Sequence, residues 1–172
     1  MKTLKHIYQA LGCEHVNTYI QSGNVIFQSP TTIEALASSI TNAIKEQLGY
    51  MVSVLIRDIA YFKQIVANNP FKQHDPNALY VTIFNKPIDK VLAVTQASTQ
   101  LGSDKFMVQH DVVYVYCQNG YGRTKLNNNF FEAKTKTWAT TRSWRTIHKL
   151  IELGATNQVA REKSSVDQDT IV

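Results

Sequence analysis

Apolar residues recur along this chain with two different periods, and these periods predict most of its secondary structure. Helical spacing opens the chain and stops at Gly12, and its apolar positions are Leu4, Ile7, Tyr8 and Leu11. The same spacing returns between Pro30 and Gly49, and its apolar positions are Ile33, Leu36, Ile40, Ile44 and Leu48. The sequence therefore predicts two amphipathic helices near its start.

Stretches rich in β-forming residues lie between these helices and after the second one. Residues 16–20 and 24–28 predict a hairpin, and residues 51–57 predict a third strand. The hairpin turn contains Gln21, Ser22, Gly23 and Asn24. Turn chemistry alone explains these residue types, because glycine supplies a positive φ and short polar side chains bond their own backbone. A functional role for the turn is the alternative.

The second part of the chain repeats this alternation of helices and strands. Asp58 is placed to cap a short helix, and residues 68–78, which contain two prolines, predict a boundary between two halves. Beyond it we expect a strand at 79–84, a helix after Pro87, a hairpin of residues 105–109 and 112–117, and a helix carrying Leu126 and Phe130. The predicted organisation is an N-terminal half at 1–68, a C-terminal half at 69–156 and a loose tail at 157–172.

This order predicts an α+β fold made of two small ferredoxin-like (α/β plait) halves, the first of them missing its opening strand. In such a unit the opening strand lies inside the sheet, so without it neighbouring strands keep unpaired backbone groups. The tail could fill the gap. A second chain could also fill it, and the protein would then be a homo-oligomer through an unpaired strand edge. Alternatively, the first half is not ferredoxin-like.

Composition narrows the class of protein only a little. The chain has 172 residues, of which 44% are apolar and 18% charged, as is ordinary for a globular protein. No apolar run approaches the roughly 20 residues that span a bilayer, so no membrane association is expected. Cys13 and Cys117 are isolated, which favours a reducing, cytoplasmic location. The five histidines lack metal-ligand spacing, and no motif indicates a cofactor or a catalytic residue.

Positive charge is concentrated near the C-terminal end of the sequence. Residues 121–153 hold seven of the 18 basic residues and two acids, so this stretch accounts for the net charge of +5. Residues 139–153 predict a helix that Thr140 or Thr141 caps and Gly154 ends. Free N–H groups, hydroxyls and arginines at a helix start suit a phosphate or carboxylate. The predicted anion-binding residues are Arg123, Lys125, Thr140, Thr141, Arg142, Arg145 and Lys149.

Plainer interpretations of the same residues remain open. The basic residues could form a solvated face, with Arg142 paired to a nearby acid or carbonyl. The glycine-bearing segment from Tyr121 to Lys125 lacks the spacing of a nucleotide-binding loop, although it could form an anion nest. Trp144 is expected in the core, and Trp138 could be either a core residue or a platform for a base.

Four segments of the sequence resemble a widespread bacterial family of uncharacterised proteins, domain of unknown function (DUF) 1697. They are residues 19–27 (YIQSGNVIF), 69–71 (NPF), 121–126 (YGRTKL) and 139–150 (ATTRSWRTIHKL). The resemblance covers residues 1–155 and implies a two-part α+β fold, but no known activity, cofactor or catalytic residue. It also implies that an N-terminal strand and an R-G-I-N-V-G-G loop are lacking here, and Ser143 replaces a usual asparagine.

Three classes of function fit these observations. The leading hypothesis is a module whose basic helix entrance binds an anion, with nucleic acid as one candidate partner. The second is an enzyme that acts on a small phosphorylated or carboxylated metabolite, which would need a concave pocket and a group with a perturbed pKa. The third is a structural or oligomeric protein that recruits a partner chain through an exposed strand edge.

Overall fold

The fold was obtained as a computed structural model that describes residues 2–20, 23–88 and 102–166, with side chains through residue 157. These residues form an α+β structure with five α-helices, a two-stranded and a four-stranded antiparallel sheet. The chain divides into two compact units, unit 1 (1–62 and 149–172) and unit 2 (63–148). The helix predicted after Pro87, and the turn residues Gln21 and Ser22, lie outside the described residues.

Unit 1 begins with the elements that the sequence predicts. Helix α1 (Lys2–Ala10) leads into the hairpin of β1 (Glu14–Tyr19) and β2 (Asn24–Gln28), and α2 (Ile33–Leu48) follows. Gly49 ends α2 in the left-handed conformation, with φ of 76° and its N–H donated to the Lys45 carbonyl over 2.9 Å. A glycine is suited to this position because it has no Cβ to oppose a positive φ.

The strand predicted at residues 51–57 forms no ladder in the part of the chain that the structure describes. Its pattern of side chains is nevertheless that of a strand, because every second residue packs against the apolar core of unit 1. These inward residues are Val52, Val54 and Ile56, and the core contains Ile7, Leu36, Ile40 and Ile44. The prediction was wrong about pairing, which needs a neighbour, but it identified the residues that enter the core.

Unit 2 is built around a four-stranded sheet. Its strands are β3 (Leu79–Phe84), β4 (Lys105–Gln109), β5 (Val112–Tyr116) and β6 (Ala139–Ser143), in the order β4-β5-β3-β6 with every pair antiparallel. Helix α4 (Asn128–Thr135) packs on one face through Phe131, which is fully buried among the apolar residues of β3, β4 and β5. The sequence boundary between the two units, after residue 62, falls within helix α3 (Ile59–Ala67).

The helix predicted over residues 139–153 is wrong in its first five residues. Residues 139–143 form β6, which pairs with β3 along its whole length. Helix α5 (Trp144–Val166) starts only after this strand. The helical spacing of Trp144, Ile147 and Leu150 was a correct signal, but pairing with β3 overrides the weak helical preference of the threonines before it.

The predicted end of this helix at Gly154 is also wrong, since α5 continues through Val166, inside the segment predicted to be a loose tail. Gly154 faces Ile59, and a Cβ on residue 154 would lie 2.9 Å from the Ile59 Cδ1 atom. Glycine therefore marks a close approach of a neighbouring side chain here, rather than a helix end.

Tyr114 on β5 makes the stability of unit 2 sensitive to alkaline pH. Its hydroxyl donates a hydrogen bond of 3.0 Å to the Ile65 carbonyl. Burial, assisted by the negative charge of Asp111, raises the pKa of Tyr114 to about 12. An unfolded tyrosine ionises near pH 10, so a rise in pH from there towards 12 favours the unfolded state. Between pH 8 and pH 11, the free energy of unfolding should therefore fall by about 1 kcal/mol less in Tyr114→Phe than in the wild type.

This difference can be measured by chemical denaturation followed by tryptophan fluorescence, because Trp138 and Trp144 both belong to unit 2. Tyr116→Phe, a half-buried tyrosine two residues further along β5, is the matched control. If the wild type and Tyr114→Phe lose equal stability at alkaline pH, Tyr114 is not the source of the pH dependence.

Candidate anion-binding site

Ser143 is the residue that starts helix α5. Its Oγ accepts a hydrogen bond from the Thr146 backbone N–H over 3.2 Å and lies 2.9 Å from the Thr146 Oγ1. This is the geometry of a side-chain cap, in which the residue before the helix satisfies a free N–H of the first turn. Thr140 and Thr141, which the sequence predicted as caps, lie in β6 instead.

Removal of this cap should destabilise the helix start measurably. We expect Ser143→Ala to lower the free energy of unfolding by about 1 kcal/mol, and Ser143→Asp to restore most of it. Thermal unfolding followed by circular dichroism would measure both changes. A loss in Ser143→Ala that Ser143→Asp does not recover would argue against a capping role.

The two threonines point to opposite faces of the unit 2 sheet. Thr140 and Arg142 lie opposite Ile83 and Val81 of β3, whereas Thr141 lies opposite Thr82. Arg142 donates through Nη1 to the Thr140 Oγ1 and, over 3.0 Å, to the Thr141 carbonyl. Burial lowers the pKa of Arg142. Arg142 is therefore engaged by its own strand, on the face away from Thr141.

Thr141 belongs to a polar cluster between the sheet and α4. Its Oγ1 lies 2.7 Å from the Thr82 Oγ1 and donates to the Asn128 Oδ1. Burial raises the pKa of Tyr121, while hydrogen bonding to Thr141 opposes this shift. These bonds satisfy the hydroxyl of Thr82, which is 0% exposed and would otherwise be a costly buried polar group. Thr141 thus joins the sheet to α4 through its hydroxyl.

Tyr80 brings the glycine-bearing turn to the start of α5. Its Cα is paired with that of Ser143 across β3 and β6, and its ring centroid lies 4.7 Å from that of Tyr121. Asp104 fixes the same turn, since it accepts from the Thr124 hydroxyl over 2.6 Å and from the Gln118 backbone N–H over 3.1 Å. The turn and the helix start, which are separate in sequence, are therefore neighbours in unit 2.

Three cations of these two neighbouring segments are exposed: Arg123, Lys125 and Arg145. Among the described residues, no carboxylate forms an ion pair with any of the three. Glu132 is the acid nearest in sequence to Arg123 and Lys125, and its Oε1 accepts the Ala139 backbone N–H over 2.7 Å. Its negative charge is thereby committed to the backbone at the start of β6.

Lys149 differs from these three cations. Its Nζ lies 2.6 Å from the Glu152 Oε1, an ion pair on the surface of α5. Of the seven predicted residues, the structure thus keeps Arg123, Lys125 and Arg145 exposed, engages Thr140, Thr141 and Arg142 within the sheet, and pairs Lys149. Sequence reasoning missed Tyr80 and Asn128, because strand pairing and packing position them and no local motif indicates them.

Other kinds of site are not apparent in the described part of the chain. No three side chains of histidine, cysteine, aspartate or glutamate there are grouped so that they could hold a metal ion. Cys13 and Cys117 are free and buried, and burial raises the pKa of Cys117 to about 11, so its thiol is poorly suited to act as a nucleophile at neutral pH. Within the same residues, no helix is both long and apolar enough to cross a membrane.

The described residues define an α+β protein with two antiparallel sheets. The family described as "Protein of unknown function (DUF1697)" matches residues 1–114, and the chain belongs to it. Two of the four segments that suggested the family, 121–126 and 139–150, lie beyond this match. Among curated proteins, no match was found.

A solved structure supports the fold. The chain is similar to the conserved bacterial protein SP0830 from Streptococcus pneumoniae, with a TM-score of 0.70, 19% sequence identity and coverage of 90% of this chain and 88% of that one. At this level of identity the similarity concerns the fold alone.

Proposed function

We propose that this protein is a binding module for an anionic polymer of the nucleic-acid class, built on two ferredoxin-like units. The binding surface, here called the basic surface, consists of Arg123, Lys125 and Arg145 in unit 2. The observation that carries the proposal is that these three exposed cations, in segments joined through Tyr80, have no carboxylate partner among the described residues while Glu132 is held by the backbone.

The exposure of these side chains favours a polymer over a small metabolite. A metabolite site encloses its ligand and uses buried, oriented polar groups. Arg142 is the half-buried guanidinium in this region, and it already donates to Thr140 and to the Thr141 carbonyl. Exposed lysines and arginines can instead contact successive phosphates and release the counterions around them.

The salt dependence of binding tests the proposal. With fluorescently labelled single-stranded RNA of 20 nucleotides, three phosphate contacts should give a slope of about −2 in a plot of log affinity against log salt concentration. A slope near zero, or no binding at low salt, would overturn the proposal. Efficient competition by inorganic phosphate at millimolar concentration would instead favour a small-anion site.

A further inference from the structure

Two tyrosine rings lie against each other where the segments of the basic surface meet. The ring centroids of Tyr80 and Tyr121 are 4.7 Å apart and their planes differ by 32°, which is in the range of offset stacking between aromatic rings. Tyr80 belongs to β3 and Tyr121 opens the glycine-bearing turn. These two residues are called the tyrosine pair below.

The tyrosine pair lies at the margin of the core, on the face of the unit 2 sheet that α4 covers. Tyr80 shares this face with Thr82 and Phe84, because alternate residues of a strand point to the same side. Thr82 and Phe84 are both 0% exposed, whereas Tyr80 and Tyr121 are only half-buried against the core. Part of each tyrosine is therefore accessible to a ligand.

Tyr121 is held in a fixed orientation. Its hydroxyl is hydrogen-bonded to the side chain of Thr141 and to the backbone of Asn128. The turn that carries it is fixed by the two hydrogen bonds that Asp104 accepts. A ring that is already ordered loses little conformational entropy when a flat ligand stacks on it. The tyrosine pair is therefore preorganised for stacking.

Each member of the tyrosine pair is close to a segment that carries exposed cations. Two cations of the basic surface follow Tyr121 in the turn, and the third, Arg145, follows Ser143, whose Cα is paired with that of Tyr80. A nucleic-acid strand whose phosphates contact these cations would bring its bases to the two rings.

Aromatic rings among cations favour a ligand with unpaired bases. An unpaired base offers a flat face that can stack on a tyrosine, and each stacked base adds to the affinity. In a duplex the bases are already stacked on each other, so a surface of this kind would contact only phosphates. Cations without such rings would not distinguish these ligands beyond their charge.

We propose that the tyrosine pair is a stacking platform for an unpaired base, so that the ligand of unit 2 is single-stranded nucleic acid. The inference rests on the proposed function, because the cations of the basic surface would hold the sugar-phosphate backbone beside the rings. The platform selects no particular base, since stacking requires only a flat aromatic face.

Oligomers with and without bases test this inference on the full chain. The probes are fluorescently labelled RNA of 20 uridines and an abasic oligomer with the same number of phosphates. Both should show a salt slope of about −2, but the RNA should bind about tenfold more tightly at each salt concentration. Equal affinities with this slope would overturn the stacking inference and leave the proposed function in place. Failure of both probes to bind at low salt would overturn both.

Substitutions in the tyrosine pair locate the effect of the bases. Tyr121→Leu should weaken binding of the RNA about tenfold and leave binding of the abasic oligomer unchanged, whereas Tyr121→Phe keeps the ring and should retain most of the affinity. Tyr116→Leu is the matched control, because Tyr116 is a half-buried tyrosine on the opposite face of the same sheet. If Tyr121→Leu binds the RNA as tightly as Tyr116→Leu and the wild type do, the inference is wrong.

Photochemical crosslinking of the wild-type protein gives a readout that needs no substitution. In RNA of the same length that carries 5-iodouridine, irradiation couples the modified base to an aromatic ring stacked on it, and mass spectrometry identifies the coupled residue. Coupling should be found at Tyr80 or Tyr121. Coupling confined to other residues, or no coupling while the RNA is bound, would overturn the inference.

Discussion

Phe131→Ala is expected to lower the free energy of unfolding of unit 2 by about 3–5 kcal/mol, the range for a large aromatic side chain removed from a well-packed core. Phe131 is fully buried on α4, and its ring meets those of Phe106 and Phe130 at centroid distances of 5.5 and 5.2 Å. Alanine would leave a cavity between the helix and the sheet, because β-sheet backbone cannot move in to fill it. Chemical denaturation followed by fluorescence of Trp138 and Trp144 would report this loss.

Phe130→Ala is the matched control for that change. Phe130 is the adjacent residue of the same helix, but its ring is only partly buried at the margin of the core. Phe130→Ala should therefore lower the free energy of unfolding by about half as much as Phe131→Ala, because less apolar area returns to water. Equal losses in the two variants would mean that Phe131 is not central to the packing of α4.

Neutralisation of the basic surface should abolish most of the salt-dependent binding of RNA. In the triple variant Arg123→Gln, Lys125→Gln and Arg145→Gln, the slope of log affinity against log salt should fall from about −2 to near zero. Glutamine keeps the length and polarity of the side chains, so the folded structure should persist. Fluorescence anisotropy with labelled single-stranded RNA would measure affinity at several salt concentrations.

A charge-matched variant separates local contacts from net charge. Lys2→Gln, Lys5→Gln and Lys45→Gln alter three exposed lysines of unit 1 and, like the first triple variant, leave a formal net charge of +2 from the original +5. This control should keep most of the slope. If both variants weaken binding equally, the interaction is a general attraction between net charges and the basic surface has no special part in it.

Local sequence signals predicted the elements whose identity depends on local chemistry. The turn at Gly12, the end of α2 at Gly49 and the hairpin of β1 and β2 follow from glycine placement and hydrophobic period, and the structure confirms them. The α+β class and membership of the family are likewise confirmed. These features needed no knowledge of distant contacts.

The wrong predictions concern residues whose state depends on a distant partner. Residues 139–143 form a strand because β3 is beside them, whereas residues 51–56 carry a strand pattern but form no ladder with any described strand. The candidate site follows the same rule. The exposure of Arg123, Lys125 and Arg145 could be expected from their charge, whereas the engagement of Arg142 and Thr141 depends on cross-strand contacts. A single sequence does not reveal such pairings.

The glycine within α5 has an evolutionary consequence. Alanine at position 154 would favour the helix by about 1 kcal/mol, yet its methyl group would require the end of Ile59 to move. Among relatives of this protein, the sizes of the side chains at these two positions should therefore be inversely correlated, so that a smaller residue at 59 accompanies a larger one at 154. These two sites, which lie 95 residues apart in sequence, would then vary as a single unit.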